Sequence, residues 1–595
     1  CVHTAPGFGA DDYQTCRRYG MEMVVPVDDT GRHTDYAGKY AGMKTEESNP
    51  VILADMKESG ALFASEDIVH SYPHCWRCKG PIIFRATDQW FCSVDAFKDE
   101  AVAACGKVQW FPEWGYDRIV SMVRERADWC ISRQRHWGLP IPVFYCEKCE
   151  KPICDDATIE KISKIFGEKG SNAWFEMDVS DLMPEGYVCP HCGGTHFTKE
   201  TDTLDGWFDS GSTHIASMEL DSPKCWPADL YLEGADQYRG WFQSSLLTAV
   251  ALRGEAPYRQ VLTHGWTVDG EGKAMHKSLG NGVAPEEIIE KYGADILRLW
   301  AASADYRQDM RCSDAIFKQL SDTYLKIRNT SRYILGNLAG FDPNNCVPTA
   351  ELCEMDKWAL SRLNTLLARC IEAYDKYEFY TVVHAVHNFC VVDMSNFYLD
   401  VIKDRLYCDS VDGASRRGAQ TVIYRILDTL VRILSPILAF TSDEIWKAMP
   451  HHDGVRLENV MLNDIPKVDE AVLDTALEQK WERVAALRDR VNRSLEEARA
   501  AKEIGKSLEA KVTISANGDA YDFINAIDGL DKLFIVSAVN VTKDEALSGE
   551  IDGISVKIEK ASGVKCPRCW TFSENAGTDP EHPELCPRCT AVVKG

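Results

Sequence analysis

The stretches "DLYLEGADQYRGWFQSSLLTAVALRG" (residues 229–254) and "YRQVLTHGWTVD" (residues 258–269) decide the fold. "DLYLEG" reads as a buried strand, and the residues behind it set Trp241, Leu246, Leu247 and Val250 near helical spacing. The second stretch is again strand-like. "APEEIIEKYGADILRLWAAS" (284–303) then predicts a helix with Pro285 near its first turn, where a missing N–H costs nothing. Strand and helix alternating in this way predict an α/β fold with a doubly wound sheet.

Outward from that core, residues 1–65 read as the end of a β-rich module, with "MEMVVPVDD" (21–29) as a strand. Residues 66–320 carry the alternation, interrupted by a Cys-bearing insertion at about 146–200. Over 321–480 the periodicity is helical almost throughout, so the α/β part is joined to an all-α helix bundle. A junction helix of mixed charge and a small α/β piece follow over 481–560, with alternating strands "AKVTISA" and "GISVKIEKA". Residues 561–595 form a Cys-rich knuckle.

A chain of 595 residues exceeds what one core organises, roughly 250–300 residues, so several domains are expected. No apolar run approaches the roughly 20 residues of a membrane helix, and no membrane partner is expected. With 91 acidic against 66 basic side chains, the chain is no general nucleic-acid coat, although a basic face confined to one region is compatible with that balance. It opens "CVHTAPGFGADDY", without initiator Met, basic n-region or signal core, which predicts a fragment lacking its N-terminal part. Its 23 cysteines without a secretory signal predict reduced thiols and a cytoplasmic location.

Ten of those cysteines fall in five C-x-x-C pairs. Cys566/Cys569 and Cys586/Cys589, separated by 16 residues, have ribbon spacing and close a four-thiolate Zn2+ site. Four protein ligands leave no open position, so that zinc is structural. Arg568, Arg588, Lys565 and Lys594 around it suit either a phosphate backbone or solubility alone. Cys146/Cys149 with Cys189/Cys192 form a second ribbon and a second zinc site, across a longer gap and with Cys154 to spare. Cys75/Cys78 has no second pair in the chain, and its partner pair is expected in the missing N-terminal part.

Glu233, Gly234, Asp236 and Gln237 lie just past a strand's carboxyl end, where open α/β sheets bind ligands. Gly234 lets a nucleotide approach the backbone, and the following helix N-terminus favours an anion. A carboxylate there takes an amino group or a ribose hydroxyl; a capped strand-to-helix loop is the equally compatible structural reading. "DGEGKAMHKSLGN" (269–281) follows the next strand of the same sheet, so Lys277 is expected to reach the same crevice. A mobile cation suits a triphosphate, because charge builds on the departing pyrophosphate and binding it there accelerates the step. Gly270, Gly272, Gly280 and Gly282 permit the loop to close and reopen.

"KAMHKSLGN" resembles the K-M-S-K-S signature of class I aminoacyl-tRNA synthetases. "YLEGADQYRGWFQSSLL", "WCISRQRHWGLPIP" (129–142) and "DGWFDSGSTH" (205–214) are similar to the isoleucyl members in particular. "SYPHCWRCKGPIIFRATDQWF" (71–91) and the terminal "CPRCW…CPRC" resemble their bacterial form. The resemblance covers essentially the whole chain, with the segments in one order. It implies the second half of a Rossmann-type catalytic fold with a zinc-ribbon insertion, a helical anticodon-binding domain over 321–480, and a terminal zinc knuckle.

The resemblance further implies activation of isoleucine with ATP and Mg2+ and transfer to tRNA(Ile), by a monomer. Glu233, Gly234, Asp236, Gln237 and Trp241 would hold the aminoacyl-adenylate. Lys277 would bind the ATP phosphates, with Met275, His276 and Ser278 beside it in the signature. Ala274 stands where the first lysine is usual and His276 where the serine is usual, with Lys273 one place early. The family's H-I-G-H signature is absent from these residues, so the chain as given is expected to be catalytically incomplete. "VHTAPGFGADDY" resembles the closing segment of the editing domain, which hydrolyses valyl-tRNA(Ile) because a hydrophobic pocket rejects a ligand one methylene smaller only weakly. There Asp12 would take the misacylated residue's α-amino group and His3 would shape the site; a helix-capping role for Asp12 is compatible with both. In the bundle, Lys326, Arg328, Arg332, Lys403 and Arg405 lie near Tyr324, Phe397 and Tyr398, a pattern that suits stacked RNA bases or plain packing. Two alternatives stand beside this reading: a valyl or leucyl enzyme, disfavoured by the terminal four-Cys knuckle, and a non-catalytic zinc- and RNA-binding relative.

Overall fold

The computed structural model describes residues 3–75, 77–221, 225–275 and 280–595, and it divides into two compact units, residues 1–262 and 263–595. In the first, α1 (Ala10–Tyr19) ends at Gly20, whose φ of 62° is the left-handed turn that glycine adopts without strain. Residues 21–29 run on without forming a strand. One bridge joins Val27 to His33, Pro26 has no N–H to pair, and Met21 and Met23 stay exposed. The β-rich end expected over 1–65 is therefore irregular and helical, with α2 (Thr45–Glu58) following. Apolar alternation makes no strand without a neighbour to bond.

β1 (Gln109–Phe111) leads into α3 (Trp114–Arg124), which buries Ile119, Val120 and Val123. The Cys-bearing insertion builds its own antiparallel sheet, in which β2 (Phe144–Cys146) lies between β3 (Pro152–Ile153) and β4 (Phe197–Lys199). Ile162 and Ile165 of α4 (Asp156–Lys169) pack with Phe144, Ile153 and Trp174 to give it a separate core. α5 (Gly206–Gly211) precedes β5 (Tyr231–Gly234), α6 (Trp241–Arg253) and β6 (Gln260–His264). β6 is the middle strand of the order β1–β6–β5 and runs parallel to β1, with Gln260 opposite Gln109 and Leu262 opposite Phe111.

α6 is buried continuously from Phe242 to Val250, its polar members included: Gln243 accepts from Arg126, Ser244 donates to the Trp241 carbonyl and Thr248 to the Gly211 carbonyl. The strand–helix–strand reading of this region holds, with one change. A 3-10 turn, Ala235–Tyr238, and Gly240 separate β5 from α6. Gly240 is required: a Cβ there would sit 2.8 Å from the Trp207 ring.

In the second unit come β7 (Thr267–Val268), α7 (Pro285–Tyr292), α8 (Ala294–Ser303) and β8 (Met310–Arg311), β7 pairing in parallel with β8. The single helix expected over 284–303 is thus two helices, broken at Gly293 with φ 92°. Ile288 and Ile296 nevertheless enter one cluster with Cys312 and Phe317, so the apolar spacing survives the break and conceals it.

The helix bundle is present as expected: α9 (Asp314–Gly336), α10 (Glu354–Asp375), α11 (Phe379–Asn388), α12 (Lys403–Cys408), α13 (Ala414–Leu434) and α14 (Ala439–Ala448). α11 runs on as a π-helical segment, Phe389–Tyr398. Its core joins Leu363, Val386, Phe389, Ile423, Leu427 and Trp446. α15 (Thr475–Ala500) packs on it, and Arg488 of this helix, 6% exposed, donates to the Asn396 and Leu533 carbonyls and to Asp400. The small α/β piece has the order β10–β9–β11, with β9 (Ala510–Ala516) parallel to β10 (Ala538–Lys543) and antiparallel to β11 (Ser555–Lys560). α16 (Pro587–Lys594) ends the knuckle.

Candidate functional site

The turn after β5 divides its residues between structure and solvent. Gln237 accepts the Trp241 N–H on its side-chain oxygen at 2.9 Å, supplying the cap that Gly240 cannot. The Trp241 ring stacks on Tyr231 with centroids 4.0 Å apart, and its indole N–H donates to the Ser210 carbonyl at 3.1 Å. Gly234 is buried at the strand end, whereas Glu233 and Asp236 are exposed. Asp236 accepts from the Gln237 amide at 3.0 Å. The turn therefore offers two outward carboxylates on a frame held by Gln237 and Trp241.

Beside it lies a cleft of about 360 Å3 whose walls include Arg126, Asp128, Arg133, Asp205, Trp207 and Arg239. Asp205 organises that wall, accepting from the Trp129 indole at 3.0 Å and lying 3.3 Å from the Arg133 guanidinium. "WCISRQRHWGLPIP" and "DGWFDSGSTH" thus meet through Asp205, a residue that spacing alone did not single out.

Of the 269–281 loop, His276, Lys277 and Ser278 lie outside the described residues. Residues 269–275, 280 and 281 are arranged around Asp269. Its carboxylate accepts the backbone N–H groups of Glu271 at 3.0 Å and Lys273 at 2.9 Å, and the Asn281 side-chain amide at 2.9 Å. Those donors, the Asn281 amide first, hold the Asp269 carboxyl below its ordinary range. Asn281 also bonds the Ala274 carbonyl, while Ala274 bridges to Val268. Met275 packs onto the Ile288–Ile296–Cys312–Phe317 cluster. Lys273, one place before the family's first lysine, pairs with Glu271 at 2.7 Å. Asp269 was missed in the sequence because an acid in a glycine-bearing loop looks like an ordinary turn residue.

Both complete cysteine sets converge. The sulfur atoms of Cys146, Cys149, Cys189 and Cys192 lie within 4.8 Å of one another, as do those of Cys566, Cys569, Cys586 and Cys589. Four thiols facing one point, away from water at the C-terminal site, fit a tetrahedral Zn2+. Cys154 is exposed and outside the set. Burial pushes the Cys566 thiol up, but the backbone N–H groups of Cys569, Cys586 and Arg568 outweigh it and bring it to about 6. At Cys146 burial is likewise outweighed by the N–H groups of Lys148 and Cys149, giving about 7. At each site the first C-x-x-C turn thereby favours a thiolate, whereas in the second turns burial and the neighbouring thiols push Cys192, Cys586 and Cys589 up. Cys75 is half-buried and Cys78 exposed, and among the described residues no further ligand joins them.

The cations around the C-terminal site are engaged within the protein. Arg568 donates to the Cys408 carbonyl, and Arg588 makes a bidentate pair with Asp404 of α12. Lys594 pairs with Asp579 and Glu581, and Lys565 lies over the Trp570 ring. The phosphate-binding alternative for the two arginines gives way to a docking role. In the bundle, Phe397 and Tyr398 are buried, and Tyr398 with two Arg405 hydrogen bonds of 2.7 and 2.8 Å satisfies the buried Asp356. Those two aromatics and Arg405 are packing, while Lys326, Arg332 and Lys403 are exposed. Asp12 accepts the Ala5 N–H at 3.0 Å and so ties the N-terminal loop to α1; His3 is exposed.

Residues 7–313 match the family described as class I tRNA synthetases (I, L, M and V), residues 356–514 the anticodon-binding domain of tRNA ligase, and residues 563–592 the zinc finger found in FPG and IleRS. Over its whole length the chain is 53% identical to the isoleucine–tRNA ligase of Thermoanaerobacter sp. (strain X514) and 52% identical to that of Caldanaerobacter subterraneus subsp. tengcongensis. It spans 64% of the length of each. Among solved structures, it is 17% identical to Mycobacterium tuberculosis methionyl-tRNA synthetase in complex with methionyl-adenylate, with a TM-score of 0.46 over 74% of this chain and 79% of that one. The Agrobacterium radiobacter K84 LeuRS–tRNA–LeuAMS complex is 16% identical, with a TM-score of 0.43 over 85% of this chain and 51% of that one.

Proposed function

This chain belongs to the class I tRNA synthetases of the I, L, M and V group, and from that membership we propose that it is part of an isoleucine–tRNA ligase. The reaction is activation of isoleucine by ATP with Mg2+, followed by transfer to tRNA(Ile), with hydrolysis of valyl-tRNA(Ile) as correction. The observation that carries the choice among I, L, M and V is the terminal four-cysteine knuckle, matched to a finger found in IleRS. Identity of 53% along the whole chain to a relative of that name supports it.

In this reading, Glu233 takes the α-ammonium of the aminoacyl-adenylate at the exposed end of β5, with Gly234 and Asp236 beside it. Gln237 and Trp241 position the turn. Lys277 binds ATP phosphates, and charge growing on pyrophosphate in the transition state makes that contact accelerate the step. Met275 anchors its loop to the cluster under α7 and α8, with His276 and Ser278 flanking the cation. Asp12 and His3 serve the editing site. The two zinc ions are structural, and the protein acts as a cytoplasmic monomer; no described helix is long and apolar enough to cross a membrane.

The experiment is amino-acid-dependent ATP–pyrophosphate exchange by the full-length polypeptide that carries this chain. Isoleucine is expected to drive exchange above valine, leucine and methionine. Exchange driven by valine well above isoleucine overturns the reading.

A further inference from the structure

α13 ends at Leu434 and α14 begins at Ala439, and the corner between them, Ser435–Leu438, supplies no side-chain cap to α14. A helix start leaves its first N–H groups without partners. Here the Phe440 and Thr441 N–H groups are taken by a residue far away in sequence. Asp295 of α8, 7% exposed, accepts Thr441 at 2.7 Å and Phe440 at 3.3 Å, one on each carboxylate oxygen. Three residues along the same helix, Arg298 donates Nε to the Ile437 carbonyl at 2.9 Å and Nη2 to the Pro436 carbonyl at 2.7 Å. An acid meets the positive end of α14 and a base meets the carbonyls of the corner, as the backbone dipoles favour.

The location of these two groups gives them a consequence beyond capping. A serine or aspartate within the corner would cap α14 equally well. Instead the caps stand on α8, which Gly293 joins to α7 and which shares a cluster with Met275 of the 269–281 loop. α8 lies in the stretch matched to the catalytic family, and the corner in the stretch matched to the anticodon-binding domain. Two charged side chains thus register one domain on the other, at the element that supports the loop.

We propose that Asp295 and Arg298 are positioning residues for the transfer step: they hold the bundle in register with the helices under the signature loop, so that RNA bound to the bundle is presented correctly to the catalytic part. Adenylate formation requires no ligand on the bundle and does not depend on them. The proposal rests on the ligase reading.

The test uses Asp295→Ala/Arg298→Ala in the full-length polypeptide. Isoleucine-dependent exchange is expected to stay within about twofold, while kcat/KM for charging tRNA falls about tenfold, a typical coupling between two sites. Asp295→Asn, which keeps one acceptor, falls in between. In parallel, amide hydrogen exchange is expected to rise at Phe440 and Thr441 and also along α7. An equal loss in both reactions, no loss in either, or faster amide exchange confined to residues 440–441, overturns the proposal and leaves a local cap. Should the double variant not fold, Asp295→Asn and Arg298→Lys give the same readings. If the unaltered protein shows no isoleucine-dependent exchange, the ligase reading fails, and the amide-exchange arm still decides whether α8 and the corner are coupled.

Discussion

Gly211 sits where α5 meets α6 so closely that a Cβ would lie 2.8 Å from the Ser244 backbone. Gly211→Ala must push two helices of one core apart, and we expect it to cost about 1–3 kcal/mol in urea unfolding. Asp356 presents the opposite hazard. Buried and paired with Arg405 and Tyr398, it leaves the Arg405 charge without a counter-ion when removed, bonded only to Ser415 and Cys353, so Asp356→Ala is expected to cost about 3–5 kcal/mol, read from the shift in denaturation midpoint. Asp269 carries the pH dependence of its loop. A carboxyl held below its ordinary pKa stabilises the structure at all pH values above that ordinary value, about 3.9, and releases it as acid passes through the lowered one. The amide resonances of Glu271 and Lys273 in selectively labelled protein should therefore stay constant down to pH 4 and shift below it; Asp269→Asn should abolish that titration. Neither Gly211 nor Asp269 could be identified in the chain as text, because one matters through a neighbour 33 positions on and the other through amides that fold back on it.

At the level of elements, alternation and helical period were the legible signals. They located β5, α6, β6 and the bundle, because the apolar runs of those elements enter buried cores. They failed over residues 21–29, where extended apolar chain finds no strand to pair with, and at Gly293, where the apolar register continues across a break. Cysteine spacing succeeded for a different reason: each C-x-x-C turn is a local object, and two of them need only meet. Metal content follows. We expect two zinc ions per chain by elemental analysis, with Cys149→Ser and Cys569→Ser each removing one and leaving the other. The arginines of the terminal knuckle were legible as cations but not as clasps. Arg588 and Asp404, both partly exposed, should show a coupling of about 1 kcal/mol in a double-mutant cycle of alanine substitutions.

Across the whole chain, family membership was readable from ordered motifs, while the placement of their working atoms depended on residues far apart in sequence, such as Asp205 beneath Trp129 or Asp295 beneath Thr441. The 64% span of the relatives' length has a functional counterpart: expressed alone, this chain should give no isoleucine-dependent exchange, whereas the full-length polypeptide should. The pairing of Arg588 with Asp404 closes a loop of 184 residues. During synthesis the bundle can collapse around its apolar centre long before the partner for Asp404 has left the ribosome. A chain that stops before Cys566 would thus release a folded body with an open seam beside α12, and the cysteine turns act as a latch closed only after the bundle has formed.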